Sequence, residues 1–256
     1  DEFYQLAADM GGAAYIFTGE HDLEIMHNSA MINLNFANLA GRYRKVFYSS
    51  SACIYPQEAQ TKEKHPGLKE SDAYPANPDS EYGWEKLFSE RLYLSLKRNK
   101  KVPVRIARFH NIYGPEGAWD DGREKAPARL SRQVAEIKHN GKGQVEVWGD
   151  GNQTRSFLYI DECLKGIRRL MESDFTLPVN IGSDEDISMN DFVRMISEIA
   201  KIPVTIRHCP GPIGVIGRNS NNDLIKKVLG WTPNYPLRKG MEITYGLNLV
   251  NLFVNS

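Results

Sequence analysis

Residues 45–56 read Lys-Val-Phe-Tyr-Ser-Ser-Ser-Ala-Cys-Ile-Tyr-Pro. The segment from Lys45 to Tyr48 has the β-branched and aromatic character of a buried strand. Three serines and Cys53 follow directly, so that hydroxyl groups and a thiol leave the end of this strand. In open α/β sheets, ligands bind in the crevice outside the carboxyl ends of the strands. The stretch therefore predicts a binding site at this strand end.

Strands and helices alternate on both sides of this stretch. The patterns predict strands at about 2–6, 45–48 and 102–109, and helices at about 23–39 and 84–97. Such alternation predicts an α/β fold with a doubly wound parallel sheet. In the first long helix Ile25, Met31, Leu34 and Leu39 fall near one stripe, which we expect to pack against the core.

After Phe109 the pattern becomes irregular and rich in Gly and Pro, with helices predicted at about 126–138, 161–173 and 190–201 and a strand at 145–148. We expect residues 116–256 to form mainly a smaller, interleaved α/β subdomain that binds the substrate, with segments returning to the sheet of residues 1–115. Residues 1–8 read as a strand from the middle of a sheet, and no Gly-x-Gly-x-x-Gly occurs. We therefore expect the parallel-sheet domain to be incomplete at its N-terminal side.

Composition excludes several functions. The 32 Lys and Arg residues balance 32 Asp and Glu residues, which gives no excess of positive charge for nucleic acid or an anionic membrane. The cysteines show no Cys-x-x-Cys and the six histidines no metal-ligand spacing, so neither a disulfide framework nor a metal site is expected. No signal peptide or membrane span is evident, and we expect a cytoplasmic protein.

Three Tyr-x-x-x-Lys pairs occur, namely Tyr82/Lys86, Tyr93/Lys97 and Tyr235/Lys239. On a helix, residues four apart share one face, where the ammonium favours the phenolate and lowers the tyrosine pKa from about 10. Tyr82 stands at the start of its predicted helix, where it would face the crevice. Tyr93 lies three turns deeper and is predicted to pack, and Tyr235 is predicted to lie in a surface turn.

Two further segments complete a family pattern. They are residues 108–115 (Arg-Phe-His-Asn-Ile-Tyr-Gly-Pro) and residues 148–157 (Trp-Gly-Asp-Gly-Asn-Gln-Thr-Arg-Ser-Phe). With them the chain resembles the extended short-chain dehydrogenase/reductases that act on nucleotide sugars. Residues 8–12, 122–127 and 217–220 are similar to members that epimerise a GDP-hexose at two ring carbons. The resemblance implies a Rossmann-like domain, tightly bound NAD, a GDP-sugar substrate and a homodimer.

The mechanism implied by the resemblance begins with hydride transfer from C4 of the hexose to NAD⁺ while Tyr82, assisted by Lys86, takes the hydroxyl proton. The 4-keto group acidifies the hydrogens at C3 and C5, and Cys53 and Lys125 match the acid/base pair of these members. Gly11 is a further cofactor position. We expect the Cys53 thiol to ionise more readily beside cationic groups, and the Lys125 pKa to fall on burial. From the residues alone, Cys53 is better explained as a small buried packing residue and Lys125 as a solvated surface charge, and their catalytic roles rest on the resemblance.

The substrate positions implied by the resemblance come from five parts of the chain, namely Ser51, Ala52, Cys53, Asn111, Glu124, Lys125, Ala126, Gln153, Thr154, Arg155 and Arg218. Arg155 and Arg218 are the expected diphosphate clamps, because guanidinium groups suit phosphate oxygens. The chain departs from the pattern at Gln133, where these members carry lysine. Arg129 and Arg132 are the alternatives for the contact made by that lysine.

Two other functions stay open. A sugar-nucleotide 4-epimerase or 4,6-dehydratase would share the serines, the Tyr-x-x-x-Lys pair and the hydride transfer. A truncated, noncatalytic homologue that serves in binding or dimerisation is compatible with the absence of a Gly-rich phosphate loop. Whichever of these functions applies, we expect residues 1–256 alone to lack part of the cofactor site.

Overall fold

The computed structural model describes residues 1–64 and 66–254, with side chains described up to residue 246. The strands are β1 (Glu2–Gln5), β2 (Lys45–Ser51), β3 (Val104–Phe109), β4 (Ile112–Tyr113), β5 (Val145–Trp148), β6 (Thr154–Ser156), β7 (Leu158–Tyr159), β8 (Val179–Ile181), β9 (Asp186–Ser188), β10 (Ile206–Cys209) and β11 (Gly217–Arg218). The helices are α1 (Ala13–Ile16), α2 (Asp22–Leu39), α3 (Glu81–Lys100), α4 (Ala126–Asn140), α5 (Ile160–Glu172), α6 (Met189–Ala200), α7 (Asp223–Leu229) and α8 (Leu237–Val254).

The main sheet is parallel, with strand order β1-β2-β3-β8. Because α2 connects β1 to β2 and α3 connects β2 to β3, the carboxyl ends of these strands meet at one edge. Ser49 pairs with Ala107 and Ser51 with Phe109 at that edge. The predicted α/β fold with a parallel sheet is confirmed.

The strands bury side chains on both faces of the sheet. Val46 and Tyr48 of β2 pack with Phe36 of α2 and Tyr93 of α3. Phe47, between them, points to the opposite face and packs in the cluster that contains α5 residues. Helices therefore cover both faces, which is the doubly wound arrangement.

The predicted packing stripe on α2 is wrong. Ile25 is buried, but Met31, Leu34 and Leu39 are 43%, 41% and 41% exposed. The inner face of α2 instead carries Asn33, which donates to Glu85 Oε1 at 3.0 Å and accepts from Gln5 Nε2 at 3.2 Å. These buried hydrogen bonds hold a polar residue inward and leave the apolar stripe outside.

The second half of the chain forms three small sheets, β5-β10, β6 between β9 and β11, and β4-β7. Their core joins α4, α6 and α8 through a shared apolar cluster around Leu130, Phe192 and Met241. Since β8 pairs with β3, a segment beyond residue 116 returns to the main sheet. The interleaving is therefore observed, whereas a functional boundary at residue 115 stays a prediction.

In the described ranges 1–64 and 66–254, no helix is both long and apolar enough to cross a lipid bilayer. The same ranges contain no group of three or more His, Cys, Asp or Glu side chains arranged to hold a metal ion. The cytoplasmic location expected from the sequence stays a prediction.

Candidate active site

A cavity of about 430 Å³ opens at the carboxyl edge of β1, β2 and β3, between the main sheet and the second half of the chain. The predicted site residues that line it are Gly11, Ser51, Ala52, Cys53, Tyr82, Lys86, Asn111, Glu124, Lys125, Ala126, Gln153, Arg155 and Arg218. Thr154 is the exception, because its hydroxyl donates to the Glu63 carbonyl oxygen. The structure thus brings residues from distant parts of the sequence into one site.

Cys53 lies in a 3₁₀ turn, Ala52–Ile54, that directly follows β2. Ser51 caps this turn, since its Oγ accepts a hydrogen bond from the Cys53 amide at 3.1 Å. The Cys53 sulfur accepts a hydrogen bond from Arg218 Nη1 at 3.2 Å. Burial and the nearby Asp79 carboxylate raise the thiol pKa, against the opposing effect of Arg218. The expected easier ionisation of the thiol is therefore absent in the protein alone.

Tyr82 and Lys86 share one face of α3, as their spacing predicts. The helix begins at Glu81, three residues earlier than expected, because the Ser80 hydroxyl caps it by accepting from the Gly83 amide at 3.2 Å. Lys86 Nζ donates to the Ser49 carbonyl oxygen at 2.9 Å and lies 5.7 Å from the centre of the Tyr82 ring.

Burial dominates the ionisation of this pair. It raises the pKa of Tyr82, with a further contribution from Cys53, and lowers the pKa of Lys86 to about 8. The expected lowering of the tyrosine pKa by the lysine is thus outweighed in the protein alone.

Tyr93 is fully buried and stacks on Tyr48, with ring centres 4.4 Å apart, which confirms its predicted packing role. Tyr235 lies in a loop, stacked on Tyr159.

Lys125 is the residue that precedes α4, in a loop that contacts the turn after β1. The Gly12 amide donates to the Arg123 carbonyl oxygen at 2.9 Å and thereby joins the two segments. Desolvation lowers the pKa of Lys125, as expected. Its neighbour Glu124 is tied to Arg132 by an ion pair of 3.0 Å, while Glu124 Oε2 is buried without a hydrogen-bond partner among the described residues.

Two guanidinium groups in the cavity have no carboxylate ion-pair partner within the described part of the chain. Arg155 donates only to backbone carbonyls, those of Thr154, Ile213 and Val215, and burial together with Arg218 lowers its pKa to about 9. Arg129 lies over the Trp148 ring, 4.1 Å from its centroid. Both groups can therefore offer positive charge to an anion.

Arg218, the other predicted diphosphate clamp, differs from Arg155 in its ionic partners. Its Nη2 forms a buried ion pair with Asp79, so its charge is already compensated.

Arg129 and Arg132 are the two alternatives for the contact of the lysine that the family carries at position 133, and the structure separates them. Gln133 Oε1 accepts from the Glu146 amide at 2.6 Å, and Arg132 is paired with acidic side chains, whereas Arg129 lines the cavity.

Asp79 is a residue beside the site that the sequence did not reveal. It precedes the helix cap Ser80 and reads as part of a turn, and it meets Arg218 from 139 positions away. No local pattern connects two residues so far apart in sequence.

The parallel sheet, with a Tyr-x-x-x-Lys pair at its carboxyl edge, defines the class of extended short-chain dehydrogenase/reductases. The chain belongs to the NAD dependent epimerase/dehydratase family, whose sequence pattern matches residues 1–182. The structure is similar to that of UDP-glucuronic acid 4-epimerase from Bacillus cereus in complex with UDP-glucuronic acid and NAD. That similarity has a TM-score of 0.83 at 26% identity and covers 98% of this chain and 76% of the other.

Plant proteins are more similar in sequence. GDP-mannose 3,5-epimerase from Arabidopsis thaliana is 49% identical over 247 residues, which are 96% of this chain and 64% of that protein. GDP-mannose 3,5-epimerase 1 from Oryza sativa subsp. japonica is 48% identical with the same coverage. UDP-glucuronic acid decarboxylase 1 from Arabidopsis thaliana is 31% identical over 94% of this chain and 53% of its own length. The chain thus spans 64% of the length of the epimerases that it matches.

Proposed function

We propose that the protein acts as a GDP-mannose 3,5-epimerase, which converts GDP-D-mannose to GDP-L-galactose through a 4-keto intermediate. The observation that carries this proposal is one cavity that holds Tyr82 and Lys86 together with Cys53 and Lys125. Hydride transfer at C4 needs only the first pair. A second pair of proton-exchanging groups serves a reaction that also inverts ring carbons.

The cavity suits the nicotinamide end of NAD. An ammonium group has three N–H donors, and Lys86 uses one of them on Ser49, which leaves donors for ribose hydroxyls. Leu6 and Leu164 line the same cavity and are 56% and 50% exposed, so they offer an apolar wall to a flat ring. NAD held there would supply the reversible hydride acceptor for C4 of the sugar. In this proposal residues 1–115 provide most of the cofactor side and residues 116–256 most of the substrate side.

Tyr82 is the group that takes the proton of the C4 hydroxyl. Its position at the first turn of α3 places it at the cavity, only 7% exposed. Burial opposes its ionisation, whereas a side-chain hydrogen bond with Ser51 lowers its pKa. The positive charge of the adjacent Lys86 also favours the phenolate form. The 2.9 Å hydrogen bond to Ser49 fixes the lysine in this place.

Cys53 and Lys125 exchange the protons at C3 and C5. Burial raises the pKa of the Cys53 thiol and lowers the pKa of the Lys125 ammonium. Burial therefore favours the neutral form of both groups, in which the thiol can donate a proton and the amine can accept one. One group withdraws a proton from a ring carbon and the other returns one on the opposite face.

The diphosphate of the substrate is bound by Arg129 and Arg155. Both line the cavity, and neither has a carboxylate ion-pair partner in the described residues. Guanidinium groups bind phosphate oxygens with paired hydrogen bonds. Arg218, whose charge is balanced by Asp79, has a different task.

Deuterium labelling tests the reaction. The purified full-length protein is incubated with NAD and GDP-mannose in D₂O, and NMR of the sugar should show deuterium at C3 and C5. Tyr82→Phe should suppress oxidation at C4 by a factor of about 10² to 10⁴. Cys53→Ala should stop labelling at the ring carbons but leave NAD reduction intact. The control Cys209→Ala, which changes a cysteine outside the cavity, should label as the unaltered protein does. Turnover at C4 without labelling at C3 or C5 would instead identify a 4-epimerase.

We also propose that the protein is a homodimer. The outer faces of α2 and α3 carry exposed apolar side chains, namely Leu23, Met31, Leu34, Trp84 and Phe88. The two helices pack against each other, and we infer that these residues form a single surface. Exposed apolar patches of this kind mark interaction sites, and a two-fold dimer is the commonest assembly that covers one.

A further inference from the structure

A buried ion pair lies directly beside the Cys53 thiol. The side chains of Arg218 and Asp79 are only 5% and 2% exposed. All three guanidinium nitrogens have separate partners, since Nε donates to Gln60 Oε1 at 2.5 Å, Nη1 to Cys53 Sγ at 3.2 Å and Nη2 to the Asp79 carboxylate. The orientation of the guanidinium group relative to the sulfur is therefore fixed.

The carboxylate is held by the same turn that begins α3. Ser80 Oγ donates to Asp79 Oδ1 at 2.9 Å and also caps the helix that carries Tyr82. Asp79 consequently keeps a constant position relative to both Tyr82 and Cys53.

The charge of the pair has an electrostatic consequence. A lone buried guanidinium in contact with a thiol would strongly favour the thiolate, because an opposite charge within about 4–6 Å favours the charged form. Asp79 opposes that effect, because its carboxylate pairs with Arg218 Nη2 and its negative charge raises the pKa of the thiol. The pair thus supplies a hydrogen-bond donor to the sulfur without a full positive charge.

We propose that Asp79 is a positioning residue for Cys53. Asp79 holds Arg218 with one N–H on the sulfur, and it keeps the thiol protonated by balancing the guanidinium charge. The proposal rests on the proposed function in one respect, since the thiol is taken to exchange protons with substrate. Its electrostatic part concerns the protein without substrate and can be measured separately.

Other groups face the thiol and stay constant in the test. The charged or titratable side chains that interact electrostatically with Cys53, apart from Asp79 and Arg218, are Tyr82, Lys86, Lys125 and Arg155. None of them is altered in the variants below. Differences between variants therefore report the ion pair.

The test follows the rate of Cys53 alkylation by iodoacetamide between pH 6.5 and 10, with peptide mass spectrometry to separate Cys53 from the other two cysteines. Asp79→Asn leaves the charge of Arg218 uncompensated and should move the midpoint of the alkylation rate against pH down by about one pH unit. At pH 7.5 alkylation should be about three- to tenfold faster, because more of the thiol is ionised. The gain does not exceed about tenfold, because a thiolate of lower pKa is a weaker nucleophile. Arg218→Gln should move the midpoint up by a similar amount. The double variant should return close to the unaltered protein.

Opposite shifts that cancel in the double variant support the proposal, because a merely structural role would move all three variants in one direction. An unchanged or raised midpoint in Asp79→Asn overturns it. Asp79→Ser, which leaves room for water at the guanidinium, should show the same downward shift and replaces Asp79→Asn if that variant does not fold. The control Asp184→Asn removes an exposed negative charge and should leave the midpoint in place. Failure of the proposed epimerase reaction would appear only in the deuterium experiment, since alkylation needs no substrate.

Discussion

The backbone amide of Gly12 lies 2.9 Å from the carbonyl oxygen of Arg123, to which it donates a hydrogen bond. This contact joins the turn after β1 to the loop that carries Lys125. A β-carbon at position 12 would overlap the carbonyl group of Glu124, so the loop can approach this closely only because residue 12 is glycine. The position of Lys125 in the cavity therefore depends on the absence of a side chain at residue 12.

We expect Gly12→Ala to reduce deuterium exchange at the ring carbons by about a hundredfold, because a displacement of about 1 Å at a reacting group has an effect of that size. The Gly12 φ of −74° is accessible to alanine, so the effect is a matter of space and not of backbone strain. Gly41→Ala is the matched control, since a β-carbon there meets nothing within 4 Å. Equal rates for the two variants would show that the loop has room to move.

Arg129→Ala should weaken GDP binding by about 10- to 100-fold, since a hydrogen bond to a charged group contributes about 1.5–3 kcal/mol. Titration calorimetry with GDP measures this directly. Arg132→Ala removes a guanidinium from the same helix, but one already paired with Glu124 and Glu136, and should change the affinity less than about threefold. A larger loss in Arg132→Ala than in Arg129→Ala would reverse the assignment.

The sequence predicts the parts of this site that depend on local order. Tyr82 could be selected among three tyrosines because its helix begins beside it. The alternation of a strand also explains why Gln153 and Arg155 line the cavity while Thr154, between them, contacts Glu63. The two-residue period of the strand by itself indicates this difference.

Other features depend on partners that no local pattern specifies. Arg129 and Arg132 lie on one helix, and the acidic partners of Arg132 and the place of Arg129 in the cavity distinguish them. The outward apolar stripe of α2 follows from the buried hydrogen bonds of Asn33, whose partners lie 28 and 52 positions away. Asp79 likewise becomes a site residue only through Arg218. In these cases long-range polar contacts, and not the local hydrophobic pattern, determine which side chains face the interior, the site or the solvent.

Lys86 should make stability depend on pH. Its ammonium is 2% exposed, and burial lowers its pKa to about 8, against about 10.4 in the unfolded chain. Between these values the unfolded state binds more protons, so the stabilisation grows as pH rises and is lost as pH falls through 8. The free energy of unfolding, relative to Lys86→Met, should rise by about 1.4 kcal/mol per pH unit between pH 8.5 and 10.

Urea unfolding at several pH values measures this difference. The comparison with Lys142→Met, an exposed loop lysine, should show no such slope. A flat difference between the unaltered protein and Lys86→Met would mean that the buried ammonium keeps its ordinary pKa.

The apolar surface on α2 and α3 leads to the last prediction. Phe88 is 48% exposed and lies one helical turn after Trp84, which is 40% exposed, so both belong to the outer face of α3. In a homodimer that covers this face, Phe88→Glu would bury a carboxylate, and its twofold copy, without a partner. We expect Phe88→Glu to sediment as a monomer at concentrations where the unaltered protein is a dimer, as measured by analytical ultracentrifugation. Leu177→Glu changes a leucine that is 58% exposed elsewhere and should leave the assembly intact. A dimer that persists in Phe88→Glu but dissociates in Leu177→Glu would place the interface on another surface, and a monomer in the unaltered protein would contradict the homodimer itself.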